Sequence, residues 1–155
     1  MAVTRRFLRE KAMQILYAFE LTKDPIEQIK RLQLTDIEKE EDLNFINNIV
    51  DYTILNGHSY EDIIKETVDN WDMERIALVD SIIIKMCITE FMFIEDIPTK
   101  VSINEAIDIA KEFSTKNSGK FVNGVLDAIL IKLKERNKIN KKGKGLINEK
   151  KSALS

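Results

Sequence analysis

The residues best suited to contact another molecule are arginines close to the start of the sequence. Arg5, Arg6 and Arg9 fall in the first turns of a predicted helix, where Glu10 is the single neighbouring acid. Positive charge at a helix N-terminus opposes the macrodipole, at about 0.3–1 kcal/mol per charge. That cost is reasonable if the arginines meet an anion, since guanidinium groups contact phosphates and stack on bases. A merely solvated basic end is the alternative.

A polar turn, Asn117–Lys120, is the second candidate contact site. It reads NSGK and lies between two amphipathic segments. If Ser118 caps the following helix, the backbone amides of that helix suit a phosphate. Phe121 after the turn, and Tyr17 on the first helix, could stack on unpaired bases, although core packing is the alternative for both. Of the forms of nucleic acid, single-stranded RNA is the one that such contacts recognise best.

No set of residues typical of catalysis is present in the sequence. His58 is the single histidine and Cys87 the single cysteine, and they are far apart along the chain. Phosphate-loop, dinucleotide-binding, zinc-protease and nucleophile-elbow motifs are all missing. A lone cysteine excludes an internal disulfide and is typical of a small buried residue. We therefore predict a protein that is not an enzyme and that needs no cofactor or metal.

Composition indicates a globular protein with a localised basic character. Hydrophobic residues make up 44% of the 155 residues and charged residues 32%, with a net charge of −2. Both ends of the chain are basic, whereas residues 36–51 are acidic. This distribution predicts a local anion-binding surface. No apolar run approaches the roughly 20 residues of a membrane span, and no signal peptide is visible, so the cytoplasm is the expected compartment.

Apolar residues at helical spacing predict an all-α fold, a bundle of about seven helices in two subdomains. One domain is expected over residues 1–136, with N-terminal helices at about 4–58 and C-terminal helices at about 59–136. Thr4 is the predicted cap of the first helix, and Asp24-Pro25 the break after it. The lysine-rich segment 137–155 loses periodicity and is predicted to be disordered.

The fifth predicted helix, at about residues 73–94, is apolar on more than one face and is expected to be central. Its polar residues Asp80, Lys85 and Glu90 must find partners or reach solvent. A capping box, Ser102 with Glu105, predicts the start of the next helix. In the last helix Gly124 interrupts an apolar run, which predicts a close approach of another helix.

Three segments resemble the NusB family of bacterial transcription antitermination factors. They are residues 5–17, 70–91 and above all 98–127, which reads PTKVSINEAIDIAKEFSTKNSGKFVNGVLD. The resemblance extends from about residue 5 to 133. It implies two layers of helices and binding of the boxA element of ribosomal RNA leaders, together with the ribosomal protein NusE. It also implies action on the RNA polymerase elongation complex with other Nus factors, and formation of homodimers by some members.

The resemblance also implies roles for individual residues. The RNA-binding positions that match the family are Arg5, Arg6, Arg9, Tyr17, Asn117, Ser118, Lys120 and Phe121. The positions that match the region contacting NusE are Asp80, Lys85 and Glu90.

Two alternatives stay open on sequence grounds. One is a NusB-like RNA-binding domain related to that of ribosomal RNA cytosine methyltransferases, which binding of S-adenosylmethionine would favour. The other is a helical protein-interaction module without an RNA role, which the absence of salt-sensitive RNA binding would favour.

Overall fold

The computed structural model describes residues 3–68 and 75–146, and all regular structure in these ranges is helical. Seven α-helices and one 3₁₀ turn are present there, without a strand. The predicted all-α fold of about seven helices is confirmed. The chain divides into two compact units, Met1–Leu55 and Asn56–Ser155.

The first unit is built from three helices that share an apolar core. They are α1 (Arg5–Thr22), α2 (Ile26–Gln33) and α3 (Glu40–Leu55). The side chains buried where α1 meets α3 are Leu8, Ala12, Ile15, Ile46, Ile49 and Val50. These positions repeat at helical spacing, so burial of one apolar face stabilises each helix in the unit.

Local signals in the sequence set the ends of α1 correctly. The Thr4 hydroxyl accepts a hydrogen bond from the backbone N–H of Phe7 at 3.1 Å, which confirms Thr4 as the N-cap. Lys23 ends the helix in the left-handed region at φ 59°. Pro25 then directly precedes α2, because proline cannot continue a helix but fits its start.

The second unit contains four helices arranged around a buried one. They are α4 (Gly57–Thr67), α5 (Leu78–Phe93), α6 (Thr99–Phe113) and α7 (Ser118–Glu135). Ten of the 16 residues of α5 are buried, and α5 packs against the other three helices. The prediction of a central helix is therefore confirmed, although α5 begins at residue 78, and residues 69–74 lie outside the described ranges.

Two predicted details of these helices are wrong. α6 begins at Thr99 directly after Pro98, so Ser102 is not its cap, and no Ser102–Glu105 capping box forms. The fixed φ of Pro98 (−61°) starts the helix earlier, which frees Ser102 for a tertiary contact. An added Cβ at Gly124 would meet no atom within 4 Å, so this glycine does not mark a close helix contact.

The segment after α7 differs from the predicted disordered tail as far as the structure describes it. The Lys141 ammonium group is buried and donates to the carbonyl oxygens of Glu90 (2.7 Å) and Ile94 (2.8 Å). Gly143–Leu146 then form a 3₁₀ turn. A cation that donates to carbonyl oxygens at the C-terminal end of α5 is favoured by the helix dipole. We call residues 137–146 the C-terminal strap; residues 147–155 lie outside the described ranges.

Candidate nucleic-acid interface

The arginine segment of α1 is organised by an aromatic side chain of α3. The guanidinium carbon of Arg5 lies 4.0 Å from the centre of the Phe45 ring, and that of Arg9 lies 5.5 Å from it. The first turn of α1 contains no acidic residue. A planar guanidinium stacks well on a ring, so the aromatic face orients these cations without neutralising them.

The three arginines that were predicted to contact an anion differ in exposure. Arg5 is exposed and Arg6 is half-buried, but Arg9 is only 3% exposed. Arg9 can be buried because guanidinium is weakly hydrated and its stem and plane pack on the apolar Phe45. Arg5 and Arg6 are therefore the accessible cations of this segment.

Two aromatic side chains of α1 are accessible. Tyr17 is 38% exposed, which favours a contact role over complete burial in the core. Phe7 is also 38% exposed, and the Lys11 ammonium lies 5.7 Å from its ring centre. Sequence reasoning missed Phe7. The available signal was its position just off the apolar face that begins at Leu8.

In the second unit, the turn between α6 and α7 is held by one hydroxyl group. The Ser118 hydroxyl donates to Asp80 Oδ2 at 2.9 Å and accepts from the backbone N–H of Thr115 at 3.2 Å. It also lies 3.0 Å from the Ser114 hydroxyl. Ser118 is thus the first residue of α7 and not its cap; Asn117 occupies the cap position without a side-chain hydrogen bond.

A cavity of about 210 Å³ opens beside this turn. Asp80 is 6% exposed, and its Oδ1 atom has no hydrogen-bond donor within the part of the chain described here. An unpaired buried carboxylate oxygen is costly, so a ligand that donates a hydrogen bond to it gains free energy. The residues lining the cavity are Arg75, Ile76, Asp80, Thr115, Asn117, Ser118 and Phe121. Sequence reasoning missed Arg75 and Thr115: Thr115 lies three residues before Ser118 in the same turn, whereas Arg75 joins the site only through the fold.

The remaining predicted residues of the turn differ in exposure. Asn117 and Lys120 are exposed and Phe121 is half-buried, so one amide, one ammonium and one ring edge reach the surface. Gly119 allows the turn to sit close to α6: an added Cβ would lie 2.8 Å from Lys111 Cε. The structure therefore brings Asn117, Ser118 and Phe121 together with Asp80 in a single cavity wall.

The three residues of α5 expected to contact a protein partner do not form one surface. They are spaced by five residues, a rotation of about 140° per step, so each meets a different helix. Asp80 contacts Ser118 of α7, and the Lys85 ammonium donates to Glu61 of α4 at 3.0 Å. Glu90 is 2% exposed and accepts from the Ser102 hydroxyl of α6 at 2.9 Å.

We call the surface that carries the Lys85–Glu61 ion pair the α4–α5 surface. The hydrogen bond from Lys85 is the main cause that lowers the pKa of Glu61, so this carboxylate stays ionised.

Among the described residues, no group of three or more metal-ligating side chains lies together, and no helix is both long and apolar enough to cross a membrane.

Comparison with known proteins identifies the family. Residues 6–130 match the NusB family. The Transcription antitermination protein NusB of Chloroherpeton thalassium is 39% identical over 153 residues, or 96% of this chain and 71% of that protein. T. maritima NusB superposes with a TM-score of 0.78 at 32% identity, over 84% of this chain and 93% of that chain.

A structure of antitermination factors NusB and NusE in complex with dsRNA has the same fold. It superposes with a TM-score of 0.74 at 21% identity, over 83% of this chain and 96% of the matching chain. The fold, the extent of the family match and the identity to a curated relative all agree. The chain belongs to the NusB family.

Proposed function

We propose that this chain is a non-catalytic transcription antitermination factor of the cytoplasm. In this proposal it binds the boxA RNA of ribosomal RNA leaders together with NusE, and it modifies the RNA polymerase elongation complex with other Nus factors. Family membership supports this role. A NusB protein of the same fold forms a complex with NusE and dsRNA, which are the same two classes of partner.

The observation that carries the RNA proposal is the unpaired Oδ1 atom of Asp80 in the cavity beside the turn. Exocyclic amino groups of bases are donors that fit such an acceptor, and the edges of unpaired bases are where RNA sequence is read. Phe121 in the same wall supplies a ring for stacking. The Asp80 carboxylate would then accept a hydrogen bond from a base through Oδ1 and hold the turn by accepting one from Ser118 through Oδ2.

The arginine segment would supply the phosphate contacts. Arg5 and Arg6 are accessible, and Arg5 is held on the Phe45 ring, so its guanidinium is oriented before the ligand arrives. Preorganisation of this kind reduces the conformational entropy lost on binding. Arg9 is buried and would act by keeping this arrangement, while Tyr17 would offer a stacking face.

For NusE, Lys85 on the α4–α5 surface is the residue of the predicted set that remains partly accessible, at 19% of its side chain. Asp80 and Glu90 are engaged within the second unit, so we propose that they act on the partner site by fixing α7 and α6. A protein partner would then bind the surfaces of α6 and α7 that Glu90 and Asp80 position.

Fluorescence anisotropy of labelled boxA RNA tests the proposal. Titrations use single-stranded and double-stranded forms and a scrambled sequence, with and without NusE, at several salt concentrations. We expect boxA to bind more tightly than the scrambled RNA, NusE to tighten binding, and binding to weaken with salt. For a single strand the slope of log K against log salt is about −0.7 per phosphate contact.

A matched pair of variants locates the electrostatic contribution. Arg6→Ala should weaken RNA binding with little change in melting temperature, because Arg6 lies in the first turn of α1, where a positive charge opposes the helix dipole and alanine favours the helix. Arg31→Ala removes the same charge from the exposed face of α2 and should leave binding unchanged. Equal binding of boxA and scrambled RNA in every mixture would overturn the proposal. Complete absence of RNA binding would favour a protein-interaction module instead.

A further inference from the structure

The C-terminal strap is fixed in place by contacts that leave most of its charge facing outward. Buried Lys141 anchors it through two carbonyl oxygens near the end of α5. Gly145 presses against the backbone of Glu95, since an added Cβ would lie 2.1 Å from the Glu95 carbonyl oxygen. The backbone N–H of Lys142 also donates to that oxygen, at 3.0 Å. A segment held this firmly presents its side chains in a defined geometry.

The strap, the helix-end residue Arg136 and the last two residues of α7, together residues 134–146, form a surface that we call the cationic basin. Residues 134–146 contain six lysines or arginines and one acid, Glu135. Ion pairs with carboxylates outside this segment include Arg136 with Glu66 and Lys142 with Glu95. A cavity of about 310 Å³ lies within the basin. Its lining is Lys134, Asn137, Ile139, Asn140, Lys141 and Leu146.

The basin is separate from the turn at the other end of α7. Ser118 and Lys134 are 16 positions apart on one helix, or about 24 Å at 1.5 Å per residue. An RNA bound in the Asp80 cavity can therefore contact the basin only through nucleotides that lie outside the segment bound at the turn. The polar side chains that line it are ammonium and amide donors, which suit phosphate oxygens and carry no direct sequence information.

We propose that this basin, with Lys134, Asn137 and Asn140 as its donors, is a second RNA-contact site that holds a backbone phosphate of the sequence flanking boxA. This inference rests on the proposed RNA-binding function and adds a site to it. Lys134 is placed by α7, and the strap preorganises Asn137 and Asn140, because Lys141 and Gly145 hold it against α5 and the segment after α5.

The test compares boxA RNA with the same RNA extended by about eight arbitrary nucleotides on either side. We expect an extended RNA to bind more tightly than the core, with a salt slope steeper by about 0.7 for one added phosphate contact. Lys134→Gln should remove that gain, weakening the extended RNA by about 3- to 10-fold and leaving the core RNA unchanged. Asn137→Gly should act the same way without straining the backbone, since Asn137 has φ 56°.

Lys23→Asn is the charge-matched control. It removes one positive charge from an exposed, left-handed position at the end of α1 and should leave both affinities unchanged. If the core RNA binds but extension adds nothing, or if Lys134→Gln behaves like the control, the basin inference is wrong and the proposed function stands. If neither RNA binds, both fail. If anionic lipid vesicles bind in a Lys134-dependent way and extended RNA gains nothing, the basin serves a membrane surface and the inference is overturned.

Discussion

The two ends of α5 use the same pair of chemical groups for different purposes. At the N-terminal end Asp80 accepts a hydrogen bond from Ser118, and at the C-terminal end Glu90 accepts one from Ser102, both at 2.9 Å. Both carboxylates are buried. Only Asp80, of the two, keeps a buried oxygen without a donor in the described part of the chain.

The surroundings explain the difference. The Glu90 end is closed by the C-terminal strap, whose Lys141 donates to the backbone carbonyls of Glu90 and Ile94. The Asp80 end faces a cavity of about 210 Å³. A fully satisfied polar cluster stabilises a fold, whereas an incompletely satisfied one costs stability that a ligand can return. We therefore assign the closed end to stability and the open end to recognition.

Glu90→Ala removes the buried carboxylate at the closed, C-terminal end of α5 and should have the largest effect on stability. Loss of the carboxylate leaves the buried Ser102 hydroxyl without this acceptor and opens a cavity, so we expect the free energy of unfolding to fall by about 2–4 kcal/mol. Urea denaturation followed by circular dichroism measures this change. Glu90→Gln keeps an acceptor and should cost clearly less. A loss below about 1 kcal/mol for Glu90→Ala would contradict the assignment.

Lys141→Met tests the contribution of the strap to the same end. Methionine preserves much of the apolar stem but loses both hydrogen bonds to carbonyl oxygens, at an expected cost of about 1–3 kcal/mol. The adjacent Lys142→Met is the control, because the Lys142 side chain is 76% exposed in its ion pair with Glu95, and exposed pairs contribute little. Equal denaturation midpoints for the two variants would show that the strap does not stabilise α5.

Tyr60→Phe tests a neighbouring contact through its pH dependence. The Tyr60 hydroxyl lies 2.9 Å from the Thr89 hydroxyl, and its loss should cost about 0.5–1.5 kcal/mol at neutral pH. Burial raises the pKa of Tyr60 from its ordinary 10.0 to about 12, against a smaller lowering by Thr89. The unfolded chain thus releases this proton first as pH rises. Stability is complete below about pH 10 and falls between about pH 10 and pH 12.

Denaturation midpoints measured across that alkaline range check the prediction. In Tyr60→Phe the stability should fall less between about pH 10 and pH 12, because phenylalanine has no phenol to ionise. Thr89→Val removes the partner hydroxyl but keeps the buried phenol, so the alkaline fall should persist. A fall of the same size in Tyr60→Phe would assign it to another group.

Asp80→Ala is expected to have the smallest effect on stability and a large effect on binding. The Ser118 hydroxyl can still bond to Ser114, and removal of an unpaired oxygen offsets part of the lost contact, so the cost should stay below about 1 kcal/mol. Affinity for boxA RNA should fall by about tenfold through loss of a hydrogen bond to a charged acceptor. Anisotropy and urea denaturation of the same variant measure both quantities.

Asp80→Asn separates positioning from direct contact. Its amide oxygen can accept from Ser118 and hold the turn, but its NH₂ group cannot accept a donor from the ligand. We expect near-normal stability with RNA binding still reduced. Restored binding would show that Asp80 acts only through the turn. A stability loss in Asp80→Ala as large as that in Glu90→Ala would break the distinction between the two ends.

Glycines show where sequence reasoning succeeded and where it failed. Gly124 was expected to mark a close approach, yet it faces open space. The close approaches are at Gly119, beside Lys111, and at Gly145, against Glu95. A glycine in an apolar helix is visible in the sequence, but the atom opposite to it belongs to a distant segment. The same limit applies to Ser102, whose spacing to Glu105 indicated a cap although its hydroxyl binds Glu90 of another helix.

The sequence by itself determined the helical fold, the Thr4 cap, the break at Pro25 and the family, because periodicity and capping act over a few residues and family motifs are linear. Only the tertiary structure decided which polar groups meet. Ser118 and Asp80 are 38 residues apart, and Lys141 reaches the Glu90 carbonyl across 51. It also decided that Arg9 is buried on Phe45 while Arg5 stays exposed. Burial and hydrogen-bond satisfaction depend on packing between helices, which no local pattern encodes.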